Sequence, residues 1–302
     1  MEKRQEGEDG YSYIALLAVV LVSWGIVPGF AKLGNLPGDV TTLWVNWVAL
    51  GAVALLITIQ GKWQLLSDYH WKDYAMMSAL GVAWPLVYSV AYFQAVQVGG
   101  PALTTILNYT WPVFVLVFAF LINRAKTTWT SAASVALAAT AVGITCFLKH
   151  SSGVTLAVPA IALGLIAAAT QGFYSAATDR WRYDPWVMTL VVEAVTAVGV
   201  TILVAIRGSF VVPTPTALFY LGVIGAISNG VGFWAFLAGS QKSGRLGMTA
   251  KSTWLIGMCL VPFAQVLLLP ILGAEEVSPW KWVGISLITV SFLIHKLGNL
   301  KA

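Results

Sequence analysis

Apolar side chains run through this chain almost from end to end, and they are parcelled into two successive sets of five membrane-length segments. Five is an odd number, so the second set must cross a bilayer upside down relative to the first. Two inverted halves can rock about a shared site near the bilayer midplane, an arrangement common among secondary transporters.

Of the 302 residues, 58% are hydrophobic and only 10% are charged, whereas about a quarter of residues are charged in soluble domains. The composition is that of an all-α polytopic membrane protein. Spans of about 20 residues each are expected at 13–33, 40–60, 73–96, 101–122 and 128–148, and again at 157–181, 185–206, 215–239, 247–272 and 279–297. The chain then divides into a short tail (1–12), a first five-helix repeat (13–148), a second repeat (157–297) and a final tail (298–302), with no room for a soluble domain. The first span is too long for a signal-peptide core and has no small-residue cleavage site after it, so it reads as a retained helix. Cys146 and Cys259 both fall inside spans and read as small hydrophobes.

The net charge of +5 is scattered through short loops and forms no patch that would bind nucleic acid. With the N-terminus inside, twelve Lys and Arg fall in the tails and the even-numbered loops. Four (Lys32, Lys149, Arg207 and Lys281) fall on the opposite side. That asymmetry puts both termini in the cytoplasm.

The halves carry faint self-similarity. Tyr109 to Trp111 align with Ser252 to Trp254 at an offset of 143, which pairs Asn108 with Lys251 and Phe93 with Phe236; near an offset of 147, Ser23-Trp24-Gly25 faces Thr170-Gln171-Gly172. The ten spans, the segments Gly99 to Thr105 and Asn108 to Phe114, and the late Leu272 to Trp280 resemble the drug/metabolite transporter superfamily over essentially the whole chain. The aromatic-rich helices look most like its bacterial aromatic amino acid exporter branch. That resemblance implies a multi-pass protein of the bacterial inner membrane that moves Phe, Tyr, Trp and related metabolites outward, with a site formed by helices 1, 3, 4, 6, 8 and 9. The fourth helix ends Leu121 to Arg124 without the acidic residue often seen there, so no role for that acid carries over.

Within the spans, polar and aromatic residues fall on shared faces. Thr104, Asn108 and Trp111 lie on one face of the fourth helix, and Gly247, Lys251 and Trp254 on one face of the ninth. Polar groups lose hydrogen bonds against hydrocarbon, so both faces point inward, either to line a cavity or to bond between helices. Trp84, Tyr88 and Tyr92 form a stripe beside a kink at Pro85, suited to stacking an aromatic substrate or to packing. Gln171, Tyr174 and Ser175 share a side of the sixth helix. Trp24 stands beside Gly25, Pro28 and Gly29, where unwound backbone is able to bind substrate. Gly222, Gly225, Asn229, Gly230 and Gly232 carry the same double reading in the eighth helix.

Charges within spans are few. Lys251 lies a turn from the cytoplasmic end, either snorkelling or drawing a substrate carboxylate to the inner mouth. Glu193 is too deep to snorkel; it reads as a protonated structural residue, with a proton-coupled role as the alternative. A glycine-rich phosphate loop, a His-Glu-x-x-His zinc motif and a Gly-x-Ser-x-Gly elbow are all missing, so the chain reads as no enzyme, without cofactor, metal or direct use of ATP. The expected function is alternating-access export of aromatic or bulky apolar amino acids, bound by Trp24, Tyr88, Tyr92, Asn108, Tyr109, Trp111, Gln171, Tyr174, Lys251 and Trp254. The alternatives are a broad exporter of lipophilic cations that uses Glu193, or a membrane receptor without flux. The partners expected are a small-molecule substrate and the lipid bilayer. The oligomeric state is left open, and a monomer is compatible with the sequence.

Overall fold

The computed structural model describes residues 2–123, 129–147, 158–178 and 183–299, and all regular structure among them is helical. Helical backbone stands at each of the ten predicted positions: α1 (Ser12–Gly34), α2 (Gly38–Ile59), α3 (Trp71–Gly99), α4 (Pro101–Phe118), α5 (Trp129–Phe147), α6 (Val158–Ala177), α7 (Pro185–Arg207), α8 (Pro215–Arg245), α9 (Met248–Ile271) and α10 (Pro279–Asn299). Among the described residues, all of these except α5 and α10 are long and apolar enough to cross a membrane, which makes eight. Within α5 the apolar stretch is shorter, Ala133–Thr145. Helical backbone before α1 starts at Glu2, inside the stretch expected to be a tail. Arg124, Lys126, Lys149, Arg180, Arg182 and Lys301, used in the charge count, lie outside the described residues, as does the side chain of Cys146.

Several helices are interrupted, and the sequence explains where. In α1 the helix turns at Ile26, immediately before Val27-Pro28. Proline has no N–H to donate four residues back and its ring crowds that carbonyl. In α3 the strain at Pro85 is absorbed by a π-helical turn, Val82–Leu86. A longer π segment, Ile224–Gly232, occupies the middle of α8. There the helices approach closely: a Cβ on Gly225 would stand 2.5 Å from the Val45 carbonyl oxygen of α2, and one on Gly232 would stand 2.4 Å from Ser23 Oγ of α1. Small residues of this kind let helix backbones approach in a membrane. The breaks in α4 at Tyr109-Thr110 and in α9 at Cys259-Leu260 each precede a proline, Pro112 and Pro262.

Features of the first five helices recur five helices later. Gly100 (φ 84°) and Gly247 (φ 97°) are the N-caps of α4 and α9, in a backbone region that favours glycine. The π segments fall in α3 and α8. The packing follows suit: α3 lies on α6 as α8 lies on α1, α4 lies on α6 as α9 lies on α1, and α2 and α7 pack on each other, as do α5 and α10. The two glycine caps are 147 residues apart, so by this register Lys251 corresponds to Thr104 and not to Asn108.

Candidate functional site

Pro28 withholds its amide from the carbonyl of Trp24 four residues earlier. Gln265 of α9 supplies the missing donor, its Nε2 lying 3.0 Å from that oxygen. The Trp24 indole N–H in turn donates to the Ser228 carbonyl in the π segment of α8 (3.2 Å), and the Ser228 hydroxyl donates back to the Ser23 carbonyl (2.5 Å). The break in α1 is thereby stitched to α8 and α9, and the Trp24 ring lies 5.1 Å from that of Phe236, tilted by 38°.

Opposite stands the stripe on α3. Tyr88 and Tyr92 stack with centroids 5.5 Å apart and planes 12° from parallel, and Trp84 continues the row 5.6 Å from Tyr88. Trp84 also stacks on Tyr174 (4.2 Å) and meets Phe233 of α8 (5.1 Å). Asn108 Nδ2 lies 3.2 Å from the Tyr88 hydroxyl and donates to it, fixing α4 to α3.

These rings surround a cavity of about 110 Å³, several times the ~10–15 Å³ that the centre of one water molecule needs. Seven of the ten predicted residues line it: Trp24, Tyr88, Tyr92, Asn108, Tyr109, Trp111 and Gln171. Three do not. Tyr174 stands behind Trp84 as its stacking partner. Trp254 is buried against α8 so closely that a Cβ on Gly239 would lie 2.3 Å from its ring. Lys251 is exposed at the start of α9, one turn after Gly247.

The sequence reading missed Phe233, Phe236, Met258 and Gln265 as lining residues, and it left Trp84, Asn229 and Glu193 between a functional role and packing or structure; all of them line the cavity. Gln265 had a signal in the sequence. A glutamine deep in an apolar helix needs a partner, and Pro28 leaves one carbonyl in need of a donor. Glu193 brings in α7, a helix not expected at the site. It is 2% exposed. Its Oε2 has no hydrogen-bond partner, and the same is true of Gln265 Oε1, Asn108 Oδ1 and Trp84 Nε1. Unpaired polar atoms in a dry interior are costly. A cluster of them around one cavity marks a place built to bond something else. None of the lining residues is Lys, Arg or His.

Both ends of the bundle are clasped beyond the cavity. At one end the Glu275 carboxylate accepts from the Ala102 amide (2.9 Å) and pairs with Lys281, tying the α9–α10 connection to the start of α4. Nearby, Asp39 accepts from Ser209 Oγ (2.7 Å) and pairs with Arg207 (3.3 Å). At the opposite end the Tyr69 hydroxyl accepts from the Asp184 amide and Gln241 donates to the Tyr183 carbonyl, each at 2.8 Å. Burial beside Asp73 and Tyr69 raises the pKa of the Tyr183 phenol. A second, more polar cavity of about 600 Å³ opens here, lined by Tyr69, Tyr183, Asp184, Gln241, Lys242 and Arg245. Along α7, Asp184 and Glu193 are nine residues apart, about 13 Å at helical rise, and the apolar Val187 and Met188 in the sequence between them are buried.

Residues 11–147 match the model of the EamA-like transporter family. A match to that family implies a membrane transporter of small substrates. No curated protein matches the sequence. One solved structure, a protein crystal structure, superposes on this chain with a TM-score of 0.67 at 18% identity, covering 95% of this chain and 98% of the other. At that identity the likeness speaks for the fold alone.

Proposed function

We propose that the whole chain, and not only the half that matches the family, is an EamA-like secondary transporter that exports aromatic and bulky apolar amino acids from the cytoplasm by alternating access. The observation that carries this reading is the central cavity, walled by Trp24, Trp84, Tyr88, Tyr92 and Phe236 and furnished with polar atoms that have no partner in the protein. An aromatic side chain stacking among such rings gains about 0.5–1.5 kcal/mol per well-placed pair beyond its burial.

In this reading α5 and α10 supply the ninth and tenth spans, the halves are inverted repeats, and both termini face the cytoplasm of a bacterial inner membrane. The recurring π segments, glycine caps and helix pairings support the repeats. The excess of basic residues at one end supports the orientation. The 600 Å³ cavity then becomes the cytoplasmic vestibule, and the clasp at Glu275 and Lys281 closes the outer face.

The experiment is uptake of radiolabelled Phe, Tyr and Trp into liposomes containing the purified protein, with and without an imposed proton gradient. Saturable flux in which these amino acids compete is expected, and flux no greater than that of empty liposomes would overturn the reading. The response to the gradient separates coupled transport from facilitated diffusion. A second reading, export of lipophilic cations, is favoured by one observation: the buried Glu193 carboxyl lies in the cavity wall. Transport of such cations with wild-type activity in Glu193→Gln would remove it.

A further inference from the structure

The polar atoms of the cavity are unbalanced in kind. The Gln265 amide is oriented by its bond to the Trp24 carbonyl, so Nε2 faces the backbone and Oε1 is left as an acceptor without a partner. Glu193 Oε2, from α7, is a second such oxygen, and Asn108 Oδ1, from α4, is a third. Against these stand two unpartnered groups that can donate, Trp84 Nε1 and the Tyr92 hydroxyl, and no cationic side chain in the lining. A ligand that satisfies the three side-chain oxygens must bring N–H or O–H groups, and it meets no cation in the wall. It must also present an apolar body to the rings of Trp24, Trp84, Tyr88 and Phe236. An ammonium group meets both needs, with three N–H donors and an affinity for the faces of aromatic rings.

We propose that the cavity recognises its substrate through an ammonium group, held by Gln265, Glu193 and Asn108, and that a carboxylate on the substrate contributes little to binding. This rests on the reading of the cavity as the substrate site and narrows the substrate class to aromatic primary amines, amino acids among them. Lys251, exposed at the start of α9, takes no part in holding a carboxylate inside the cavity.

Three ligands that share a phenyl ring and a short chain separate the charges: phenethylamine, L-phenylalanine and 3-phenylpropionate. Their binding to the purified wild-type protein in lipid nanodiscs is measured by titration calorimetry. The amine and the amino acid should bind within roughly threefold of each other, and 3-phenylpropionate at least about tenfold more weakly, the factor that a single charge-assisted bond of about 1.4 kcal/mol supplies. Glu193→Gln should weaken phenethylamine about tenfold or more while leaving the unfolding temperature of the ligand-free protein no lower. Equal binding of 3-phenylpropionate and phenethylamine would overturn the proposal, as would unchanged amine affinity in a folded Glu193→Gln protein. The ligand series needs no variant, so it decides even if the variant fails to fold. Flux distinguishes the two layers. Amine that binds but is not moved in liposomes refutes transport and leaves this recognition standing, whereas amino acid flux without ammonium preference does the reverse.

Discussion

Gln265 donates to the carbonyl of Trp24, 241 residues earlier in the chain, and that carbonyl is the one Pro28 leaves without its helical donor. The bond therefore does the work of a backbone bond across the two halves. Replacing Gln265 by Leu should lower stability by about 1–2 kcal/mol, the cost of leaving a buried acceptor unpaired. Pro28→Ala returns an amide within reach of the same carbonyl. The Gln265→Leu penalty should thus shrink in the Pro28→Ala background, and thermal unfolding of the four proteins of this double-mutant cycle measures the difference. A penalty of the same size in both backgrounds would show that Gln265 acts elsewhere.

Two tryptophans that sequence reasoning treated alike should behave differently. Trp111 lines the cavity, while Trp254 fills the space over Gly239 outside it. Trp254→Ala empties a packed site and should cost on the order of 3 kcal/mol, seen as a lower unfolding temperature, with the KM of the surviving protein within about twofold of wild type. Trp111→Ala should show the opposite balance, with KM raised severalfold and a smaller loss of stability. KM and unfolding temperature measured on both variants give the comparison.

Much of this was legible in the sequence because it rests on local rules. Span length and apolarity located the eight helices that are long and apolar enough to cross a membrane among the described residues, and Pro28 and Pro85 marked two of the interruptions. The stripe of Tyr88 and Tyr92 follows from helical spacing alone. What escaped depends on register between helices. The alignment at an offset of 143 rested on Thr-Trp pairs, whereas the backbone correspondence runs through Gly100 and Gly247, whose significance lies in a positive φ that no residue count reveals. Misplacing that register by four residues put Lys251 opposite Asn108 and brought Trp254 into the site. Glu193 was seen but assigned to structure, because nothing along α7 itself tells that its face meets the turn at Pro85 and not another helix.

The same two glycines offer a separate test. A side chain at φ 84° or 97° is strained wherever it points, by about 1–3 kcal/mol, so Gly100→Ala and Gly247→Ala should both lower the unfolding temperature. Their further effects should diverge. A Cβ on Gly100 would also stand 3.1 Å from Glu275 Oε2, whereas nothing lies within 4 Å of one on Gly247. Gly100→Ala should therefore be the more destabilising, and Glu275→Ala should abolish the difference. Equal losses for the two glycine variants would mean that Glu275 yields freely.

If the 600 Å³ cavity is the vestibule of the proposed transporter, its charge sets a condition on approach. Lys242 and Arg245 bring two positive charges to the wall of the 600 Å³ cavity, with Asp184 as the acidic residue in its lining. A positive mouth repels a cationic amine and is close to indifferent to a zwitterionic amino acid, which carries no net charge. Replacing both residues by Gln should raise the initial uptake of phenethylamine relative to phenylalanine when flux enters through this end. The gain should be largest at low salt, where the Debye length of about 30 Å at 0.01 M spans the mouth, and should fade toward 0.15 M, where it is about 8 Å. Initial rates for both substrates across that range, in wild type and in the double variant, supply the check. A rise of equal size for both substrates would mean that the two side chains obstruct the path by bulk, with their charge immaterial.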